Sequence, residues 1–317
     1  MSFKMVLLPP DLPADWPDKI RAAVPGIDVE AFDDASAAMD AIVDADAAYG
    51  TVPPELLARA TKLRWIAAAR AGLGGDWFYP ELVAHPAVVT NLRGIYNESL
   101  SQHIMGLLLA FAQRFEHYLP QQRERLWKRG PGMMELGGMT ALIVGVGGAG
   151  AETARRCAAF GMHVVGVDPR ETTAPEGMAE LVATERLDEK LAEADFVILT
   201  VPESPQTLNM FNAERFAAMK PGSIFINIGR GACVETDALV AALRSGHLGG
   251  AGLDVVAPEP LPADHPLWGM PNVLITPHVA IFGTHYQHKR EAIVLENCRR
   301  FAAGEPLMNV VDKANWF

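Results

Sequence analysis

The chain has 317 residues, half of them hydrophobic and 21% charged, a composition typical of a soluble enzyme with more than one domain. Acidic residues outnumber basic ones 38 to 27, and the net charge of −11 disfavours nucleic acid as a partner because phosphates select basic surfaces. The sequence contains no secretion-signal pattern, no apolar run that would cross a membrane, and no metal-ligand spacing among its cysteines. We therefore expect a cytoplasmic protein without a metal site.

The first hundred residues alternate short apolar runs with helical patterns. The helical patterns cover Pro13–Val24, Asp34–Val43 and Pro53–Ala60. The apolar runs, which we interpret as strands, are KMVLLP, IDVEAF, ADAAYG, LRWIAAA and AVVTN. Such alternation predicts a small parallel sheet whose strands are joined by crossover helices.

A long apolar helix is predicted next, from Glu98 to Phe115, where it would carry the chain into a second domain. The polar segment that follows, HYLPQQRERLWKRG, contains the isolated Trp127. We interpret this segment as an arm that covers a domain surface or a partner subunit.

A glycine fingerprint opens the second predicted sheet. The predicted strand Thr140–Val144 runs into GVGGAG, from Gly145 to Gly150, and an amphipathic helix follows to Phe160. The first glycine permits a tight turn, the second lets the backbone approach a pyrophosphate, and the third lets helix and strand pack closely. The helix N-terminus offers N–H groups to that anion. The pattern predicts a dinucleotide site.

Asp168, which follows the predicted strand His163–Val167, bears on which dinucleotide is bound. A carboxylate at this place hydrogen-bonds the ribose hydroxyls of NAD and repels the 2′-phosphate of NADP. Arg170 lies two residues further on, within reach of such a phosphate; the alternative is a solvated loop arginine after Pro169. We predict NAD, with NADP left open.

The remaining strands complete the second sheet, and a last helix from Thr284 to Ala302 returns the chain to the first domain. These strands are DFVILTVP, SIFINIG, GAGLDV and NVLIT. The predicted fold class is α/β with two domains, in which a Rossmann-type doubly wound nucleotide-binding domain, 98–284, is inserted in a flavodoxin-like substrate domain, 1–97 and 285–317. Ligands are expected in a cleft between the domains.

Three ionisable residues follow consecutive predicted strands: Arg230, Glu259 and His278. In an open α/β sheet, ligands bind at that edge. An arginine holds a carboxylate by two parallel hydrogen bonds, and a histidine beside a glutamate gives a proton to a carbonyl oxygen. Singly, such residues are usually surface or capping residues. Together they indicate the reduction of a 2-oxo acid.

Four long segments carry a likeness to a known family: VGVGGAG, VPESPQTLNMFNAERFAAMKPGSIFINIGRGACVETDALVAAL, GGAGLDVVAPEPLPADHPLW and NVLITPHVA. They resemble the D-isomer-specific 2-hydroxyacid dehydrogenases, the group that contains glyoxylate/hydroxypyruvate reductases, 3-phosphoglycerate dehydrogenases and D-lactate dehydrogenases. The likeness extends over nearly the whole chain and is densest from Met139 to Ala280.

The resemblance implies that His278 is the acid/base, Glu259 its partner, and Arg230 the residue that holds the 2-oxo group and the carboxylate. It places Asp254 against the nicotinamide carboxamide, and it assigns the backbone N–H groups of Ala71–Gly74 to the substrate carboxylate. The implied cofactor-binding residues are Gly145, Gly147, Gly148, Ala149, Gly150, Asp168, Pro169, Arg170, Val201, Pro202, Ile228, Gly229 and Asp254. The implied substrate-binding residues are Arg70, Ala71, Gly72, Leu73, Gly74, Tyr96 and Phe282.

Three departures from the family pattern bear on the ligands. Gly148-Ala149 stands where relatives have a large or basic pair, and Ser101-Gln102 stands where they often have Ala-Glu. The bulky Phe282, together with Tyr96, either narrows the substrate pocket or serves in ordinary packing. These departures concern the identity of the substrate rather than the chemistry.

The resemblance implies a homodimeric reductase that uses NAD(H) to interconvert a small 2-oxo acid and a D-2-hydroxy acid. The alternative is a dinucleotide-sensing binding protein similar to the C-terminal-binding corepressors; the intact arginine, glutamate and histidine argue against it because a sensor needs no proton donor. A formate dehydrogenase is disfavoured, since formate oxidation transfers no proton to the substrate. Arg70 either faces the substrate carboxylate or pairs with a nearby acid such as Glu98 or Asp76.

Overall fold

The structure is a computed structural model that describes residues 2–170 and 173–316. Two compact units divide the chain. The first consists of Met1–Ile95 and Thr284–Phe317, and the second consists of Tyr96–Gly283. Among the residues described, we find no helix that is both long and apolar enough to span a membrane.

Five short strands form the parallel sheet of the first unit: β1 (Lys4–Leu7), β2 (Asp28–Ala31), β3 (Ala47–Tyr49), β4 (Trp65–Ala67) and β5 (Val88–Thr90). Their spatial order is β2-β1-β3-β4-β5, which is the flavodoxin-like order. The helices in this part of the chain are α1 (Trp16–Ala23), α2 (Pro54–Leu57) and α3 (Pro80–Ala84). The five predicted strands and their parallel arrangement are confirmed.

The predicted helix over Asp34–Val43 is wrong. The segment forms two short 3₁₀ turns, Ser36–Ala38 and Ala41–Asp44. Ala38 and Ile42 are buried, but most of their neighbours are exposed. Because a helix of this length depends on tertiary packing of an apolar face, two buried residues are too few to stabilise a continuous α-helix.

Seven parallel strands form the sheet of the second unit: β6 (Thr140–Val144), β7 (His163–Val167), β8 (Glu180–Val182), β9 (Phe196–Leu199), β10 (Ile224–Asn227), β11 (Gly250–Leu253) and β12 (Val273–Ile275). Their order, β12-β11-β10-β9-β6-β7-β8, reverses direction beside β6, as in a Rossmann sheet. The helices are α4 (Asn97–Ala112), α5 (Phe115–Arg123), α6 (Gly148–Ala159), α7 (Leu187–Leu191), α8 (Ala213–Ala218) and α9 (Thr236–Arg244). The doubly wound domain is confirmed; the three-residue β8 is an addition that was too short to show a pattern.

The two faces of this sheet are both apolar, and successive strand residues point to opposite faces. Leu142 belongs to one buried cluster and Ile143 to the other. Helix α4 packs on the second face, where a Cβ on Gly250 would lie 2.7 Å from the ring of Phe111. The glycines of β11 therefore let α4 approach the sheet beneath the loops that follow β10, β11 and β12.

The chain ends in the first unit with helix α10 (Tyr286–Ala303). Phe301 of this helix packs its ring 4.8 Å from that of Phe3 and 5.3 Å from that of Trp65, between ring centroids. Val310 then pairs with Thr90 as an antiparallel bridge beside β5. The C-terminal segment thus completes the core of the first unit.

Candidate active site

The turn after β10 is fixed by a buried amide. Asn227, 1% exposed, donates from Nδ2 to the carbonyl of Arg230 (3.1 Å) and accepts the N–H of Gly229 at Oδ1 (3.0 Å). A Cβ on Gly231 would collide with the carbonyl of Val256, so this turn lies against the loop that follows β11. The half-buried Arg230 is therefore presented from a rigid turn, with Nη1 donating to the carbonyl of Gly229 (2.7 Å).

The pair of His278 and Glu259 joins the loops after β12 and β11. His278 Nδ1 lies 2.9 Å from Glu259 Oε2, while Glu259 Oε1 accepts the N–H of Val256 (3.2 Å). Since an ionised carboxylate has no proton to donate, Nδ1 carries the hydrogen of this bond and Nε2 is left to exchange a proton with a ligand. The two side chains are 37% and 41% exposed, so the pair is accessible from solvent.

Asp254 supports the backbone on which His278 stands. Its carboxylate, 1% exposed, accepts hydrogen bonds from the Thr276 hydroxyl (2.6 Å) and from the N–H groups of Val279 (2.9 Å) and Ala280 (3.1 Å). Its own carbonyl accepts the N–H of His278 (2.8 Å), whose φ of +52° lies in the left-handed region. Asp254 thus anchors this loop, and its expected contact with a nicotinamide carboxamide stays a prediction.

The glycine-rich turn after β6 has the shape that a dinucleotide requires. Gly145 has a φ of +97°, and a Cβ there would lie 2.8 Å from the backbone nitrogen of Val201. A Cβ on Gly150 would collide with the carbonyl of Gly145, whereas the space beside Gly147 is open within 4 Å. Helix α6 begins at the next residue, so its N–H groups face the open side. The residues fit a pyrophosphate.

Two departures from the family pattern lie where α4 meets α6. A Cβ on Gly148 would collide with the side chain of Asn97, so the N-terminal residue of α4 lies close against the start of α6. Ser101, fully buried on α4, accepts a hydrogen bond from Nε of Arg156 on α6 (2.9 Å). Gly148 and Ser101 are thus both points of contact between α4 and α6.

Asp168 is buried and hydrogen-bonded at the end of β7. It accepts the N–H groups of Val146 (2.9 Å) and Arg170 (2.9 Å), and the Arg170 guanidinium lies 3.2 Å away. Burial alone raises the pKa of this carboxyl, but the Arg170 side chain and the two backbone N–H groups outweigh it, so the pKa of Asp168 lies below its usual value. Arg170 is thus paired with Asp168, although its side chain is 45% exposed.

The other predicted cofactor residues lie along the same sheet edge. Val201 and Ile228 are buried, and a Cβ on Gly229 would lie 2.7 Å from the carbonyl of Val201, so these two turns are in close contact. The carbonyl of Pro202 accepts the Thr207 hydroxyl (2.7 Å). Pro169 and Ala149 lie in the turn after β7 and in the first turn of α6.

The predicted substrate residues are divided between the units. In the first unit Arg70 is exposed, Leu73 packs in the core, and Asn91 donates to the carbonyl of Ala71 (2.8 Å), so Ala71–Gly74 offers its backbone rather than side chains. The side chain of Asp76 lies outside the part of the structure that is described. In the second unit Tyr96 is half-buried before α4, and Phe282 is 67% exposed.

Sequence reasoning did not identify Asn227, Thr276 or His103 as parts of this site. His103 Nε2 on α4 lies 2.8 Å from the Thr276 hydroxyl and 3.6 Å from Asp254 Oδ1. The available signals were a polar residue at the end of a buried strand and a histidine on an apolar helix. Within residues 2–170 and 173–316 no group of His, Cys, Asp and Glu side chains is suited to a metal ion.

Comparisons with known proteins show which family the chain is similar to. The family described as "D-isomer specific 2-hydroxyacid dehydrogenase, NAD binding domain" matches residues 105–280. The chain is 37% identical over 265 residues, 83% of its length, to D-3-phosphoglycerate dehydrogenase of Mycobacterium leprae, of which it covers 49%. It is 36% identical to glyoxylate reductase of Korarchaeum cryptofilum, with 83% of this chain and 80% of that protein aligned.

A solved structure is similar over the whole chain. It is the NADPH-dependent glyoxylate/hydroxypyruvate reductase of Sinorhizobium meliloti in complex with NADP and sulfate, with a TM-score of 0.86, 28% identity, and coverage of 99% of this chain and 100% of that one. By contrast, the chain spans about half the length of the M. leprae phosphoglycerate dehydrogenase.

Proposed function

The chain belongs to the D-isomer specific 2-hydroxyacid dehydrogenase family, and on that premise we propose that it interconverts a 2-oxo acid and a D-2-hydroxy acid with NAD(H). The second unit, 96–283, would bind the dinucleotide, and the first would bind the substrate carboxylate. The observation that carries the proposal is the 2.9 Å pair of His278 Nδ1 and Glu259 Oε2, which leaves Nε2 as a directed proton donor.

In the direction of reduction, His278 Nε2 donates its proton to the 2-oxo oxygen as negative charge develops there. Glu259 stabilises the imidazolium before transfer, and Val256 keeps the carboxylate oriented. Arg230 holds the oxygen and the carboxylate of the substrate from its rigid turn. A bound reduced nicotinamide supplies the hydride. In oxidation, the neutral His278 accepts the proton from the hydroxyl group.

The residues of the second unit support NAD as the preferred cofactor. The Asp168 carboxylate stands where the ribose hydroxyls of a dinucleotide on the Gly145–Gly150 turn are expected. Its pairing with Arg170 partly offsets the repulsion of a 2′-phosphate, so we propose that NADP is also accepted, less well. The structurally similar S. meliloti reductase is NADPH-dependent and has NADP bound, which supports keeping NADP as a second cofactor.

A homodimer is proposed from the segment around α5. Large apolar side chains stand exposed on it: Phe115 (48%), Leu119 (47%), Leu126 (48%), Trp127 (99%) and Met133 (53%). Exposed apolar groups in such number mark a contact surface. Light scattering of the purified protein should give twice the chain mass of 34.2 kDa, and Trp127→Glu should lower it. A monomer at micromolar concentration would contradict this proposal.

The cytoplasmic location of the protein stays a prediction.

The experiment that tests the enzyme proposal is a panel of 2-oxo acids, including glyoxylate, hydroxypyruvate and phenylpyruvate, assayed with NADH and with NADPH. Consumption of reduced cofactor, with a D-2-hydroxy acid as product, would support the dehydrogenase. Tight binding of NADH without turnover on any substrate would instead favour the dinucleotide-sensing alternative. The intact pair of His278 and Glu259 makes that outcome the less expected one.

A further inference from the structure

A partly buried chain of hydrogen bonds leads from helix α4 to the loop of His278. His103 Nε2 lies 2.8 Å from the hydroxyl oxygen of Thr276, which lies 2.6 Å from Oδ1 of Asp254. The side chains of His103 and Asp254 are 21% and 1% exposed. The chemistry proposed above gives His103 and Thr276 no part, although Thr276 precedes the proton donor by only two residues.

The direction of these bonds follows from the protons that each group carries. The Asp254 carboxylate acts only as an acceptor, so the Thr276 hydroxyl proton is directed to it. The lone pair of the Thr276 oxygen then accepts a hydrogen bond from the N–H at His103 Nε2, which fixes the tautomer of that ring. The chain therefore runs from His103 through Thr276 to Asp254, and it depends on an N–H donor at its start.

Asp254 is the point at which this chain reaches the catalytic loop. Its two carboxylate oxygens hold the N–H groups of Val279 and Ala280, and its carbonyl holds that of His278. Because His278 has a φ of +52°, its backbone keeps this conformation only while the surroundings impose it. A shift of the carboxylate would move the residues on the C-terminal side of His278.

We propose that His103 is a positioning residue, which orients Thr276 and through it Asp254, so that the loop holds the His278 imidazole in the geometry for proton transfer. The inference rests on the proposed function. The effect belongs in kcat more than in dinucleotide affinity. Asp254 is also the predicted partner of the nicotinamide carboxamide, but the Gly145–Gly150 turn, which is expected to hold the pyrophosphate, is held by other contacts. A misplacement of about 1 Å is enough to slow a reaction by about a hundredfold.

Two matched pairs of variants test the proposal. His103→Leu removes the donor, whereas His103→Gln keeps an N–H near the place of Nε2; Thr276→Val removes the hydroxyl, whereas Thr276→Ser keeps it. We expect the Leu and Val variants to lose kcat by about ten- to a hundredfold, and the Gln and Ser variants to stay within about threefold of the natural protein. The Leu/Val double variant should lose no more than the worse single variant, since both break one chain.

The dissociation constant of NADH, measured by fluorescence, should change little in all four variants. A Leu variant with unchanged kcat, or a Gln variant as slow as the Leu variant, would overturn the positioning role. Equal losses of melting temperature and NADH affinity across all four would also overturn it, since they mark a merely structural role. If the natural protein binds NADH but reduces none of the 2-oxo acids, the proposed function itself fails, and that result is read before any variant is made.

Discussion

The loop that carries His278 and the glycine loop Ala71–Gly74 are both proposed to meet the substrate, yet they are built differently. The loop of His278 is bound from beneath by the buried Asp254, which accepts two N–H groups and a hydroxyl. The glycine loop is held by Leu73 in the core and by the Asn91 amide, and its neighbour Arg70 is exposed.

This difference separates two demands on an active site. Proton transfer depends on the position of one atom to within a fraction of an ångström, so its loop is fixed by buried polar side chains that hold the backbone. Recognition of a carboxylate needs donors on one side of the ligand, which backbone N–H groups and one arginine supply with less support, here the single buried amide of Asn91. Substitutions at the loop of His278 should therefore lower kcat, whereas a substitution beside the glycine loop should raise KM.

The largest loss of activity is expected for His278→Gln, which replaces the proton donor with another polar side chain that cannot act as an acid. The rate kcat for reduction should fall by about 10²- to 10⁴-fold, since general acid catalysis contributes that much. The affinity for NADH should be unchanged, because the Gly145–Gly150 turn lies on another loop. Stopped-flow kinetics and fluorescence titration of the same preparation separate the two quantities. A variant that keeps a tenth of the natural kcat would refute the role of His278.

Substitutions of two arginines should separate an effect on kcat from an effect on KM. Arg230→Met should lower kcat strongly, because its contact with the substrate strengthens as charge develops on the carbonyl oxygen. Arg70→Met should raise KM about ten- to a hundredfold and leave kcat nearly unchanged, because a contact on the order of 1.5–3 kcal/mol made equally in ground and transition states is lost. Steady-state kinetics on the best 2-oxo acid measure both. An Arg70→Met protein with natural KM and a lowered melting temperature would show Arg70 to be structural.

The features that could be predicted are those with a local pattern in the sequence. The apolar runs predicted every strand of the two sheets except β8, and the GVGGAG turn predicted the strand–turn–helix at Gly145–Gly150, because these features depend on local periods and on backbone geometry. Arg230, Glu259 and His278 could be selected as candidates because each follows an apolar run in the sequence. The Asp34–Val43 segment failed because alanines supply a helical pattern without supplying an apolar face.

The supporting residues could not be predicted in the same way. His103 and Thr276 are far apart in sequence, and only the packing of α4 under the sheet edge brings them to Asp254. Asn227 is a polar residue at the end of an apolar strand. The sequence does not show that its amide hydrogen-bonds the backbone of the next turn. Such residues are recognised from contacts, since one sequence contains no periodic signal for a long-range hydrogen bond.

A smaller effect is expected at the cofactor. Asp168→Ala removes the proposed hydrogen bonds to the ribose and the repulsion of a 2′-phosphate. The difference in binding free energy between NADH and NADPH should therefore shrink by about 1–3 kcal/mol. Because the natural carboxylate is paired with Arg170, the starting preference for NADH should be moderate. Arg170→Gln serves as the matched control and should widen the preference. A natural protein that binds NADPH more tightly than NADH would contradict the assignment of NAD.

The smallest effect concerns stability and the same carboxylate. Asp168 has a pKa below its usual value because Arg170 and backbone N–H groups favour the charged form. A depressed pKa contributes stability that is present above the ordinary value of 3.8 and is lost as the pH falls through the folded-state pKa. Asp168→Asn should therefore lower the free energy of unfolding at pH 7, by no more than about 1 kcal/mol since the Arg170 side chain is 45% exposed. Urea unfolding at pH 7 and near pH 3 should show this difference shrinking in acid.

Arg170→Gln should reduce the same pH-dependent difference, because it removes the partner while leaving the two backbone donors. A deficit of Asp168→Asn that stays constant between the two pH values would mean that the shape of the turn, and not the charge of Asp168, stabilises the end of β7.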